Sequence, residues 1–345
     1  MPFEERKKPR ITLIDVAQHA NVSRATASLV IRKSPLVGAE TRMRVEKAMR
    51  DLGYVYNMGA ARLRAERSYT AGVIVPNLTN PFFAELLSGI EAVIDSAGMV
   101  VILGNSGDSA ERQDMMMRRM REHSVDGVII CPAADTGPEF MRQFAQSGLP
   151  LVQALRHVSD ELDYAGADYA GGIAQAVDHL AALGHRRIAF AVHGPVHSAY
   201  NERVDGFRDA MSSRGLDPQR IIRVPNPVGE IAGAASLLFD GHQHPTAVIC
   251  FNDVVALGLS AGLHDRGLRI GEDISLIGFD DVSDAETMRP RLTSVSTAPV
   301  TIGQTAAQLL LDRVSDPRRE ARRLVMRSVL HIRQTCGPII VSALQ

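Results

Sequence analysis

From Tyr69 onward the chain repeats one texture: a short apolar run, a turn, then a longer stretch whose apolar residues recur every three to four positions. Ala71-Gly-Val-Ile-Val75, Met99-Val-Val-Ile-Leu103, Val128-Ile-Ile130 and Leu151-Val152 are too short for buried helices and too uniformly apolar for strands with one wet face. Between them Phe83, Leu86, Leu87, Ile90, Val93 and Ile94 mark one side of a helix that Gly98 ends, and further helical patterns run over 112–123 and 140–146. Strands buried on both faces and separated by helices predict βαβ units, hence a parallel sheet covered on both sides. The pattern restarts at Arg187-Ile-Ala-Phe-Ala-Val192, continues through a helix with Val204, Phe207 and Met211, and adds strands at 221–224, 246–250 and 274–278. Two such lobes in tandem predict a cleft between them for a small molecule.

Ahead of this body lies a different pattern. Thr12 stands where it can cap a helix, with Asp15 three residues on to complete a capping box. Val16, Ala17 and Ala20 supply a small apolar side, Asn21 suits a left-handed turn, and Ser23 caps a second helix. Ala27, Val30 and Ile31 face inward in that helix, leaving Arg24, Ala25, Ser28 and Leu29 outside: a helix-turn-helix with a reading face. A third helix follows over 39–52, stopped by Gly53. Residues 1–67 carry 14 Lys/Arg against 7 Asp/Glu, a net of +7, whereas the other 278 carry 24 against 32, a net of −8. A basic head on an acidic body points to a polyanion-binding module joined to a domain with another task.

Several classes are disfavoured. No run of 18 apolar residues and no apolar signal-peptide core occurs, so no membrane partner and a cytoplasmic location are expected. Cys131, Cys250 and Cys336 lie far apart with no CxxC and read as small buried hydrophobes. The chain has no GxGxxG, Walker A, GxSxG or HExxH motif, so an enzyme is not expected, nor is a cofactor or a metal site.

The stretch 12–32, Glu40-Thr-Arg-Met-Arg-Val45, Leu52-Gly-Tyr54, Gly72-Val-Ile-Val-Pro76, Asn80-Pro-Phe-Phe-Ala-Glu85, Val125-Asp-Gly-Val128, Leu183-Gly-His-Arg-Arg-Ile188, Asn252-Asp253 and Ser275-Leu-Ile-Gly-Phe-Asp280 run in order along nearly the whole sequence. Together they resemble the LacI/GalR (lactose-repressor) family of bacterial transcription regulators. The resemblance implies an α/β architecture: a helix-turn-helix domain at 1–56, a hinge at 57–68, and a two-lobed effector-binding and dimerisation domain at 69–345. Its first lobe is expected over about 69–164 plus 296–323, and its second over about 165–295 plus 324–345, each Rossmann-like and of periplasmic-binding-protein type.

The same resemblance implies a repressor released from a pseudo-palindromic operator in double-stranded DNA by a small-molecule inducer, a sugar or sugar acid. A regulator dependent on a purine or other corepressor is the alternative, and a cytoplasmic two-lobed enzyme a more distant one. DNA contacts are expected from Thr12, Ser23, Arg24, Ala25, Thr26, Ser28 and Leu29, and from hinge residues Asn57, Ala60 and Leu63, with Leu63 as a minor-groove wedge. A helix that reads one half-site needs a partner, so a homodimer is expected. Effector contacts are expected from Phe82, Phe83, Arg156, Arg203, Asn252, Asp253 and Asp280. Two departures bear on the ligand: Leu155 and Arg156 stand where the family usually has a hydroxyl-binding aspartate, and the chain has no tryptophan to stack on a sugar ring. Phe82, Tyr200 or Phe279 would then provide the apolar face. His193 and His197, with several arginines, leave an acidic effector open.

Overall fold

The computed structural model describes residues 11–31, 34–54, 67–225, 230–239 and 244–339, and the chain divides into two units at the Ser68/Tyr69 junction. Among the described residues the first holds three helices, α1 (Leu13–His19), α2 (Arg24–Ile31) and α3 (Ala39–Leu52). Thr12 and Asp15 close the expected capping box: Asp15 Oδ2 accepts from the Thr12 amide at 2.7 Å, and Thr12 Oγ1 accepts from the Asp15 amide at 3.4 Å. Asn21 takes φ +51° at the corner, and Ser23 Oγ accepts from the Thr26 amide at 3.0 Å to start α2. Gly53, at φ +62°, ends α3 in the left-handed conformation that a side chain would disfavour. Val16, Ala27, Val30, Val45 and Ala48 are buried between the helices.

The second unit alternates strands and helices: β1 (Thr70–Val75), α4 (Pro81–Ser96), β2 (Val100–Asn105), α5 (Ala110–Glu122), β3 (Gly127–Ile130), α6 (Pro138–Gln146), β4 (Leu151–Ala154), β5 (Asp163–Ala167), α7 (Tyr169–Ala182), β6 (Ile188–Val192), α8 (Ser198–Ser212) and β7 (Ile221–Arg223). After a 3-10 segment at Ala232–Phe239 come β8 (Ala247–Cys250), α9 (Asp253–Asp265), β9 (Ser275–Asp280), α10 (Asp284–Thr287), β10 (Thr293–Ser296), α11 (Pro299–Ser315), β11 (Arg323–Met326) and β12 (Val329–His331). One sheet has the order β11-β5-β4-β3-β1-β2 and the other β12-β10-β9-β8-β6-β7. Among the described residues every strand pair is parallel except β10 with β12. The uniformly apolar runs β1, β3, β6 and β8 are buried along their whole length, which is why they read as strands covered on both faces.

Among the described residues the chain passes between lobes three times, after β5, between β10 and α11, and between β11 and β12. The first lobe therefore extends through β5 to Ala167 and through β11 to Met326, a few residues beyond the expected boundaries at 164 and 323. Helix α11 is held against α4 by mutual close approach. A Cβ on Gly89 would lie 2.1 Å from the Val300 carbonyl oxygen, and one on Gly303 would lie 2.1 Å from that of Leu86. Only glycine at both positions lets the helices meet this closely.

Candidate functional site

In the head, most of the residues expected to meet DNA lie on and just before α2. Arg24 and Ala25, in the first turn of α2, are exposed, as are Thr12 and Ser23. Ser23 Oγ and Thr26 Oγ1 lie 2.9 Å apart, so these two hydroxyls spend part of their hydrogen-bonding capacity on each other. Ser28 is half-buried. Leu29 is half-buried as well and packs on the head's apolar core, so its side chain serves packing as well as the outer face. Asn57, Ala60 and Leu63 lie outside the described residues.

In the body, a cleft of about 640 Å³ opens where strands of both lobes end, the position where ligands bind in open α/β folds. From the first lobe come Phe82 and Phe83, at the start of α4, and Leu155 and Arg156 after β4. The second contributes His193 and His197 after β6, Arg203 on α8, Phe251 and Asn252 after β8, and Asp280 at the end of β9. Phe82 and Phe83 meet edge to face with centroids 5.4 Å apart, and both line the cleft. Asn252 also caps α9 through its side chain, accepting from the Val255 amide at 2.9 Å.

Arg203 is 6% exposed and its guanidinium carbon lies 4.0 Å from the Tyr169 centroid, 4.5 Å from Phe279 and 4.8 Å from Phe251. Three π faces around a desolvated cation stabilise it where water cannot. Its Nη1 donates to the Ala199 carbonyl at 3.1 Å, its Nη2 lies 3.6 Å from Asp280 Oδ1, and its Nε has no hydrogen-bond partner among the described residues. Asp280 takes φ +106° and Asp281 φ +58°, a left-handed pair that aspartate tolerates better than most residues. Asp281 is already engaged by His331 Nδ1 and Arg333 Nη1, each at 2.6 Å. Burial pushes the Asp280 carboxyl up to about 7; Arg203 and a hydrogen bond from the Asn80 side chain pull the other way, and Glu85 adds to the rise.

The two histidines do not add positive charge. His197 Nδ1 accepts from the Tyr200 amide at 3.1 Å and so carries no proton there, and burial, with Arg156 and Arg203 nearby, pushes its value down to about 2. His193 Nδ1 donates to the Pro225 carbonyl at 3.1 Å, and burial lowers its value too.

Residues 12–57 match the family described as bacterial regulatory proteins, lacI family, and residues 177–336 match the periplasmic binding protein-like domain. The chain is 32% identical to the HTH-type transcriptional repressor PurR of Vibrio vulnificus (strain CMCP6), over 95% of its own length and 99% of that protein's. This chain belongs to the lacI family. Its fold is that of the Lac repressor dimer bound to operator and the anti-inducer ONPF, with a TM-score of 0.84 at 25% identity, covering 95% of this chain and 100% of that one. The transcriptional regulator CelR in complex with cellobiose gives a TM-score of 0.71 at 28% identity, covering 94% and 100%. A lacI-family chain is a DNA-binding transcriptional regulator and not an enzyme. Among the described residues no helix is long and apolar enough to cross a membrane.

Of the seven effector candidates in this lacI-family body, six line the cleft and Asp253 does not. Asp253 is fully buried, its Oδ1 accepting from Ser294 Oγ at 2.5 Å and its Oδ2 from the Val282 amide at 2.8 Å. It is the first residue of α9 while Asn252 is the cap, so the two neighbours serve different surroundings. Phe279 is buried beneath Arg203, and Tyr200 packs on Phe251, whose ring lines the cleft instead. Sequence reasoning also missed Asp108 and Tyr169. Both follow strand ends, which is the signal that points to them: Asp108 lies in the loop after β2, and Tyr169 opens α7 directly after β5.

Proposed function

We propose that this chain is a ligand-responsive transcriptional repressor that binds a pseudo-palindromic operator as a homodimer in the cytoplasm. Its interlobe cleft takes a small polyhydroxylated effector of the sugar class, and effector binding releases the DNA. The observation that carries the ligand reading is the Arg203/Asp280 pair. A guanidinium and a carboxylate 3.6 Å apart offer donors beside acceptors, which suits adjacent hydroxyl groups that each donate and accept. Phe82, Phe83, Tyr169 and Phe251 supply apolar walls from both lobes for the C–H faces of a ring. The volume suits a mono- or disaccharide, within the roughly 300–1,000 Å³ of small-molecule sites.

On the DNA side, Arg24 reads a base edge and Ala25, Ser28 and Leu29 border it, while the segment around Leu63 wedges the minor groove at the dimer centre. A thermal-shift screen of sugars, sugar acids and purines tests the effector reading, since a ligand at about 100 times its dissociation constant adds roughly 2.7 kcal/mol. Each hit then goes into an operator gel-shift titration. Release by a sugar upholds the reading. Tighter operator binding with a purine would replace it by the corepressor alternative, which the aromatic walls of the cleft could serve by stacking a planar base.

A further inference from the structure

Asp108 occupies a position that the Arg203/Asp280 pair does not explain. It follows Gly107 in a loop where both residues take left-handed backbone angles, φ +60° and +59°. Its carboxylate forms a two-pronged bridge with Arg156, with Nη1 donating to Oδ1 at 2.6 Å and Nη2 to Oδ2 at 3.2 Å. Oδ1 also accepts from the Ala134 amide at 3.1 Å, and Arg156 Nη1 donates to the Pro132 carbonyl at 3.1 Å. One carboxylate thus ties together the loops that follow β2, β3 and β4, which form much of the first-lobe wall. The pair is largely buried, the side chains being 12% and 22% exposed for Arg156 and Asp108, so solvent screens it weakly.

The consequence is a charge balance. Arg156 is bridged by Asp108 and Arg203 faces Asp280, so among the described residues both arginines that line the cleft have carboxylate partners once the pH is high enough for Asp280 to ionise. Resting on the reading of this cleft as the effector site, we propose that Asp108 is a specificity-determining residue that sets the charge class of the effector: by neutralising Arg156 it makes the cleft take an uncharged polyol and reject the matching carboxylate. An anionic group near Arg156 would meet the Asp108 carboxylate beside the guanidinium, so the repulsion offsets much of the attraction while the anion forfeits its own hydration. A hydroxyl loses much less on entry and can use the donors Arg156 has left.

The test uses the full chain and matched probes, glucose with glucuronate and gluconate, and galactose with galacturonate, titrated by calorimetry. Wild type should bind a neutral sugar at least tenfold more tightly than its acid. Asp108→Asn, which leaves Arg156 unneutralised, should shift that ratio toward the acid by tenfold or more, and Asp108→Glu should restore it. Should Asp108→Asn fail to fold, Arg156→Gln provides the reciprocal test: it leaves the carboxylate unopposed and should sharpen rejection of the acid. A wild type that prefers the acid, or a ratio unmoved by these substitutions, overturns the role of Asp108 while leaving the cleft as the effector site. Failure of wild type to bind any of the probes overturns the cleft reading for this ligand class and this inference with it.

Discussion

The backbone amide of His157, on the first lobe, donates to Ser198 Oγ, on the second, at 2.9 Å. Beside this bond His157 Nδ1 and Glu202 Oε1 approach to 3.6 Å, both buried and without hydrogen-bond partners among the described residues. His157 directly follows Arg156 and Glu202 directly precedes Arg203, so the contact joins the backbone segments that carry the two arginines lining the cleft. A ligand between the lobes favours the arrangement in which they touch, and it can do so only to the extent that the arrangements differ in free energy. Ser198→Ala removes one hydrogen bond from that arrangement, about 1 kcal/mol, and should weaken effector affinity roughly fivefold. Calorimetry on both proteins checks this; equal affinities would mean that the bond contributes equally to both arrangements.

Asp253 should matter for stability and not for ligand contact. Its two oxygens satisfy Ser294 Oγ and the Val282 amide inside a dry site, and truncation strands both donors. Asp253→Ala should cost about 3 kcal/mol and lower Tm by roughly 5–10 °C. At temperatures where the variant stays folded, its effector affinity should match wild type within about twofold, once the small loss of folded fraction is corrected for. A large loss of affinity with unchanged Tm would return Asp253 to the binding site.

How far the sequence could be read follows from which forces act locally. The apolar runs of β1, β3, β6 and β8 announce strands because burial on both faces leaves no polar alternation. β5 (Asp-Tyr-Ala-Gly-Ala), β10 (Thr-Ser-Val-Ser) and β11 (Arg-Leu-Val-Met) carry no such signal, and they are strands because neighbours pair with them. Those strands carry or flank the crossings between lobes, so the lobe boundaries moved with them. At the site, Arg203 and Asp280 were legible through family resemblance. The Asp108–Arg156 bridge was not, because 48 residues separate its partners and only the fold brings them together.

For the head, Arg24 is exposed at the start of α2, where a guanidinium can reach a guanine edge with two hydrogen bonds. Arg24→Ala should weaken specific operator binding by about 1–3 kcal/mol and relax selectivity at one base position. Binding of random-sequence DNA, which depends on phosphate neutralisation, should change much less. A gel-shift comparison on operator and random DNA at two salt concentrations separates the outcomes; equal losses on both DNAs would make Arg24 a phosphate contact.

The Asp280 carboxyl, raised to about 7 from an ordinary 3.8, predicts opposite pH slopes for two measurements. In the ligand-free protein the folded state holds this proton more tightly than the unfolded chain does. The group's contribution to stability is therefore fully present below about 4 and is lost as pH rises through about 7. Effector binding runs the other way, because a polyol needs the ionised carboxylate as an acceptor beside the Arg203 donors. Effector affinity should be level above about pH 8 and fall toward tenfold per unit well below 7. Asp280→Asn should weaken binding at pH 8 and flatten the profile. Arg203→Ala should abolish the effector's influence on operator affinity while leaving ligand-free operator binding nearly unchanged, since the cleft residues then lack their donor but the head is untouched. Calorimetric titrations from pH 5.5 to 8.5 decide the matter: an affinity that rises as pH falls would mean that the effector takes its hydrogen bond from a protonated Asp280, and an Asp280→Asn profile as steep as wild type would assign the titration to another group.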